Sequence, residues 1–71
     1  MNWQYDEASD AWLYGTPQEG CGVFANDEKR GPRWEGNAVF RNNIVHFGPY
    51  NTKKKAQRTT LTWLQNQIKN Q

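Results

Sequence analysis

The 71-residue chain has one cysteine, one histidine, one methionine and three prolines. A lone Cys21 excludes an internal disulfide, and one cysteine with one histidine leaves no soft-ligand metal cluster. No metal and no cofactor are therefore expected. No apolar run approaches the roughly 18 residues that a membrane span requires. The start, Met1-Asn2-Trp3-Gln4-Tyr5-Asp6, lacks the basic and apolar regions of a signal peptide. These absences predict no membrane partner and a cytoplasmic location. The second half of the chain also lacks acid, since no Asp or Glu follows Gly36.

That last absence exposes a sharp division of charge. Residues 1–28 hold Asp6, Glu7, Asp10, Glu19, Asp27 and Glu28 and no Lys or Arg. All nine basic residues lie from Lys29 onward, against Glu35 alone, so a formal net charge of +2 conceals an acidic and a basic half. A basic half suits an anionic partner such as nucleic acid, and two opposite halves also suit self-association. An internal match, with the halves neighbouring each other in one sheet, is the plainer alternative.

What the chain does have is rings. Four Trp, three Tyr and three Phe supply much of its apolar content, and the length fits a single domain over 1–71. Trp3-Gln4-Tyr5-Asp6 alternates ring and polar residue as a half-buried strand does. Glu7 to Asp10 reads as a turn, Ala11 to Thr16 as a strand, and Pro17 to Gly20 as a break. Cys21 to Ala25 reads as a short strand, and polar Asn26 to Arg33, with Gly31-Pro32, as a loop. Trp34 to Arg41 and Ile44 to Phe47 fit a hairpin closed by Asn42-Asn43, because Asn tolerates the positive φ of such turns. That register sets Phe40 opposite Val45 and Val39 opposite His46. Phe40, Val45, Ala38 and Phe47 then share one face, and Arg41, Ile44, Val39 and His46 the other.

After Gly48-Pro49-Tyr50-Asn51, Thr52 is placed to cap a helix running to about Asn70. Ala56, Thr60, Leu61, Trp63, Leu64 and Ile68 fall on one side of it, and Lys54, Lys55, Arg58, Thr62, Gln65 and Lys69 on the other. The expected fold class is α+β: a four- or five-stranded antiparallel β-meander, its strands within 3–48, with one C-terminal helix at about 52–70 packed on one face.

Enzyme signatures are missing, and a non-enzymatic protein is expected. His46 has no acid or Cys at ligand spacing, and the acid pairs Asp6-Glu7 and Asp27-Glu28 lie in or beside turns rather than across a cleft. The helix start is more informative. Lys53, Lys54 and Lys55 occupy its first turn, where the dipole already places positive charge and each exposed cation costs about 0.3–1 kcal/mol. Cations beside backbone N–H groups form an anion site suited to phosphate, and Arg58 continues it one turn later. A solvated, salt-screened face is the plain alternative. The second feature is the sheet face opposite the helix, where Val39, Ile44 and His46, flanked by Arg41, form a modest contact patch. Trp3, Tyr5, Trp12 and Tyr14 can extend either face.

The stretch Ile44-Val45-His46-Phe47-Gly48-Pro49-Tyr50-Asn51-Thr52, followed by Ala56, resembles the strand-to-helix joint that ends the sheet of arm-type DNA-binding domains of phage integrases. The resemblance covers about residues 34–70. It is also similar to the joint in small uncharacterised phage and prophage proteins, whose β-meander and single helix the spaced Trp3, Trp12 and Trp34 resemble. In the integrase-like domains the sheet face enters the major groove, which the resemblance carries to Val39, Arg41, Ile44 and His46. One Arg and one His are fewer base-reading groups than that role implies. The resemblance implies a phage-type accessory protein acting in the host cytoplasm. Together with the helix start and the sheet-face patch, it leads to two expectations: binding of nucleic acid through Lys53, Lys54, Lys55, Arg58 and Arg41, or inhibition of a host enzyme or nucleic-acid-handling complex, of the anti-CRISPR type, through Val39, Ile44 and His46. A homodimer through the sheet face or an edge strand is the third reading.

Overall fold

Short alternating runs punctuated by Gly, Asn and Asp favour hairpins between chain neighbours, and hairpins are what forms. A computed structural model describes residues 2–28 and 31–70. Its strands are β1 (Gln4–Asp6), β2 (Ala11–Gly15), β3 (Glu19–Glu28), β4 (Gly31–Phe40) and β5 (Asn43–Tyr50), followed by helix α1 (Lys53–Lys69). All neighbouring strands are antiparallel, in the order β1-β2-β3-β4-β5. The fold is therefore an α+β meander of five strands with one C-terminal helix.

Each turn has its own chemistry. Between β1 and β2, an Asp6 carboxylate oxygen accepts from the Ser9 N–H at 3.2 Å and the Ser9 hydroxyl at 2.5 Å. Between β2 and β3, the Thr16 hydroxyl accepts from the Glu19 N–H at 3.0 Å, and the Thr16 N–H returns a bond to the Glu19 carbonyl at 3.1 Å. The β4–β5 turn corrects the expected hairpin. Arg41 and Asn42, not Asn42 and Asn43, form its loop, with φ of 48° and 72°. Two consecutive positive φ values are what a tight hairpin turn needs to match strand twist. Phe40 now pairs with Asn43, Val39 with Ile44, Ala38 with Val45 and Asn37 with His46. The pairing moved by two positions relative to expectation, so the side chains kept their faces.

The expected loop at 26–33 is also corrected. β3 and β4 continue pairing through Asn26↔Arg33, Asp27↔Pro32 and Glu28↔Gly31. The ladder continues there although the sequence shows no apolar alternation, and Asn26 Nδ2 donates to Glu35 Oε2 at 2.8 Å across the two strands. Positions 29 and 30 lie outside the described residues.

Trp3, Tyr14, Phe47, Leu61 and Trp63 pack around a core of Cys21, Ala38, Phe40 and Leu64. Val23, Ala38, Ala56 and Thr60 are fully buried. Helix α1 lies over β3, β4 and β5. It sits close because Gly36 has no Cβ; one built there would lie 2.5 Å from Thr60 Cγ2. The buried Thr60 hydroxyl is satisfied within the helix, donating towards the carbonyls of Ala56 at 2.9 Å and Gln57 at 3.1 Å. Of the residues expected on the packed side, Ile68 is the exception: it lies near the helix end and is exposed. Before the helix start, Gly48 at φ 108° sits in a bulge of β5 opposite Glu35, after which Tyr50 resumes pairing with Trp34.

Candidate anion site and the uncovered sheet face

Thr52 caps α1 as expected, with extended backbone (φ −133°, ψ 151°) and its hydroxyl accepting from the Lys55 N–H at 3.2 Å. Its carbonyl takes the Ala56 N–H at 3.3 Å, closing the first turn. That turn contains no acid. The three lysines leave it in different directions. Lys53 is half-buried, its Nζ 4.4 Å from the centre of the Trp12 ring. Lys55 Nζ stands 5.8 Å from the Tyr50 ring centre. Both distances fall within cation–π range, worth about 0.5–1 kcal/mol at exposed sites. Lys54 and Arg58 are exposed. Lys53, Lys54, Lys55 and Arg58 thus share the first two turns, two of them leaning on rings.

Arg41 does not join them. It occupies the β4–β5 turn, at the far end of β5 from the helix start, and the paired stretch Phe40 to Trp34 between the two ends spans roughly 20 Å at about 3.3 Å per residue. There its guanidinium lies 5.2 Å from the Phe40 ring centre and 4.0 Å from a Glu19 carboxylate oxygen. Both partners of this pair are largely exposed, so it adds little stability.

Val39, Ile44 and His46 lie on the sheet face away from α1, where the alternation placed them. Among the described residues no element covers that face. Ile44 is 64% exposed, His46 is exposed and Val39 half-buried. Leu13, 43% exposed, joins them from β2. The sequence offered that signal, because Leu13 alternates with the inward Trp12 and Tyr14. A groove of about 320 Å³ runs along this face, lined in part by Leu13, Gly20, Gly22, Asn37 and Val39. Asn37 Oδ1 is buried there with no hydrogen-bond partner among the described residues.

The rings of β1 and β2 take the helix side. Trp3 and Tyr14 are 5.5 Å apart and Tyr5 and Trp12 5.4 Å, both pairs tilted, as cross-strand sheet pairs are. The Tyr5 hydroxyl donates to the Asp10 carboxylate. That bond first, then burial and the nearby charges of Asp10 and Asp6, raises the Tyr5 hydroxyl above its usual range. Seats for lysines in Trp12 and Tyr50 were not readable from sequence, because Trp12 lies 41 positions from Lys53 and only the fold brings them together.

Cys21 is buried. Burial pushes its thiol up, and a hydrogen bond with Thr60 opposes this only in part. That is the opposite of a nucleophile's environment. Among the described residues no group of three His, Cys, Asp or Glu could hold a metal ion, and no helix is long and apolar enough to cross a membrane. Comparison with known proteins found no family model, no curated protein and no solved structure that matches the chain.

Proposed function

We propose that this chain is a non-enzymatic accessory protein of the phage type that binds nucleic acid mainly through phosphate contacts. Lys53, Lys54, Lys55 and Arg58 supply the contacts. The observation that supports this most is the composition of the first helical turn: three cations and no acid, where the dipole makes cations unfavourable. A sequence selected for stability alone places Asp or Glu there. Anchoring Lys53 and Lys55 on rings reduces the side-chain freedom they lose on binding.

Phosphate binding of this kind is sequence-tolerant and releases counterions, so its affinity falls steeply with salt. Replacing Lys53, Lys54 and Lys55 together by Gln is expected to weaken binding to duplex DNA and to flatten the salt dependence, by up to about 0.9 in slope for each phosphate no longer neutralised. Titrations followed by Trp fluorescence at several salt concentrations measure both. Equal affinity and slope in the variant would remove the helix start as the site.

A second reading is favoured by the exposed Ile44 and Leu13 on the uncovered face: docking of a host enzyme or nucleic-acid-handling complex, with inhibition as the result. Under it, Ile44→Asp keeps the fold and loses the partner, while the lysine variant keeps the partner.

A further inference from the structure

The two edges of the sheet are built differently. β1 is three residues long, and shortness is one way natural sheets blunt an edge. β5 is eight residues long. From Asn43 to Gly48 it contains no Lys, Arg, Asp or Glu, the residues that usually guard an exposed edge. We propose that the β5 edge pairs with the β5 edge of a second copy of this chain, joining two sheets into one of ten strands.

The hairpin register fixes which groups are available. A two-residue loop closes on a hydrogen-bonded pair, here Phe40 and Asn43, and bonded pairs alternate along an antiparallel ladder. Val45 therefore bonds inward to Ala38, and Ile44 and His46 present their N–H and C=O groups outward. Beyond Phe47 the bulge and the positive φ of Gly48 end the regular edge. The usable stretch is centred on Val45. A two-fold axis through Val45 sets Ile44 of one copy against His46 of the other, and the reverse, with both pairs exchanging backbone hydrogen bonds.

Three features favour a second copy as the occupant. Antiparallel pairing of a strand with itself is self-complementary, which two-fold symmetry requires. The neutral stretch brings no like charges opposite each other. The acidic turn of Glu7 and Asp10 lies at the far edge, four strand spacings away. Even registers also keep both helices on one side, so the exposed Ile44 side chains extend a single open face and each gains a cross-strand neighbour.

Sedimentation equilibrium over a wide concentration range is expected to show a monomer–dimer equilibrium; a monomer at every concentration would overturn the proposal. His46→Pro removes an outward N–H and leaves the inward ladder to β4 intact. It is expected to give a monomer with native circular dichroism. Leu13→Asp, in the middle of the open face and away from the edge, is expected to leave the dimer unchanged. A dimer broken by Leu13→Asp and spared by His46→Pro is a face-to-face one and overturns edge pairing. Should the proline variant fail to fold, hydrogen exchange on the unaltered chain decides. The Ile44 and His46 amides gain protection with rising protein concentration if the edge pairs, and exchange at a concentration-independent rate if it does not.

Discussion

A Cβ built on Gly36 lies 2.5 Å from Thr60 Cγ2 and 3.3 Å from Val23 Cγ1, so alanine there must displace Thr60 or lift α1. Overpacking of a tight core commonly costs about 1–3 kcal/mol. Gly36→Ala is expected to lose stability in that range by urea denaturation. Thr60→Ser removes the obstructing methyl and keeps the hydroxyl that bonds to Ala56 and Gln57. Combined with Gly36→Ala, it is expected to recover much of the loss. Strictly additive effects would show that the clash lies elsewhere. Cys21 offers a second test at this scale. Its raised thiol favours the neutral form in the folded state. The stability this gives is full below the unfolded thiol's range and is lost as pH rises through the folded value, which is above 9.0. Cys21→Ala is therefore expected to weaken the decline of stability in alkali relative to the unaltered chain, and two parallel pH profiles would contradict it.

The helix start sets stability against binding within one element. Lys54 is exposed and has its head near neither ring that holds Lys53 and Lys55. Lys54→Glu places an acid where the dipole favours it and is expected to raise helix stability by about 0.3–1 kcal/mol. The same change is expected to weaken nucleic-acid binding. Thermal melts and binding titrations on one variant measure both, and a more stable protein with undiminished affinity would point to a merely solvated lysine face. The helix was also the most legible element in the sequence. Thr52, Ala56, Thr60 and Leu64 state its cap and its buried stripe at the period of a helix, and the boundaries agree within a residue. The β4–β5 faces were legible too, because alternation survives an even shift in register. What could not be read was pairing in a polar stretch. The arm formed by Asn26↔Arg33 and its neighbours continues the backbone ladder, with Asn26 Nδ2 donating to Glu35 Oε2, and neither kind of bond leaves an apolar pattern behind. Lys53 over Trp12 was hidden for a related reason: two elements far apart in the chain meet without any local periodicity to announce it.

At the scale of the whole molecule, the edge pairing and the basic helix start bear on each other. Each helix begins just past Tyr50, at one end of β5. Pairing two β5 strands about Val45 sends the two Tyr50 ends in opposite directions; the bulge leaves the span of Ala38 to Trp34 on each side, so the ends lie roughly 26 Å apart at about 3.3 Å per residue. The helices stay on the same side of the joined sheet. That separation lies within one turn of duplex DNA, about 34–36 Å. A dimer would then present two phosphate-binding ends to one side of the same duplex, and the second engagement becomes intramolecular once the first is made. The prediction concerns length. A duplex of about 20 base pairs, long enough to meet both ends, is expected to bind at least tenfold more tightly than one of about 8, whose seven steps of about 3.4 Å fall short of the span, beyond the gain from extra sites alone. His46→Pro is expected to erase that excess and leave the short-duplex affinity unchanged, because it touches the edge and none of the four cations. Fluorescence titrations of both duplexes against both proteins measure it. A length dependence that survives His46→Pro would separate the two ideas, leaving phosphate binding in place and removing the dimer as its amplifier.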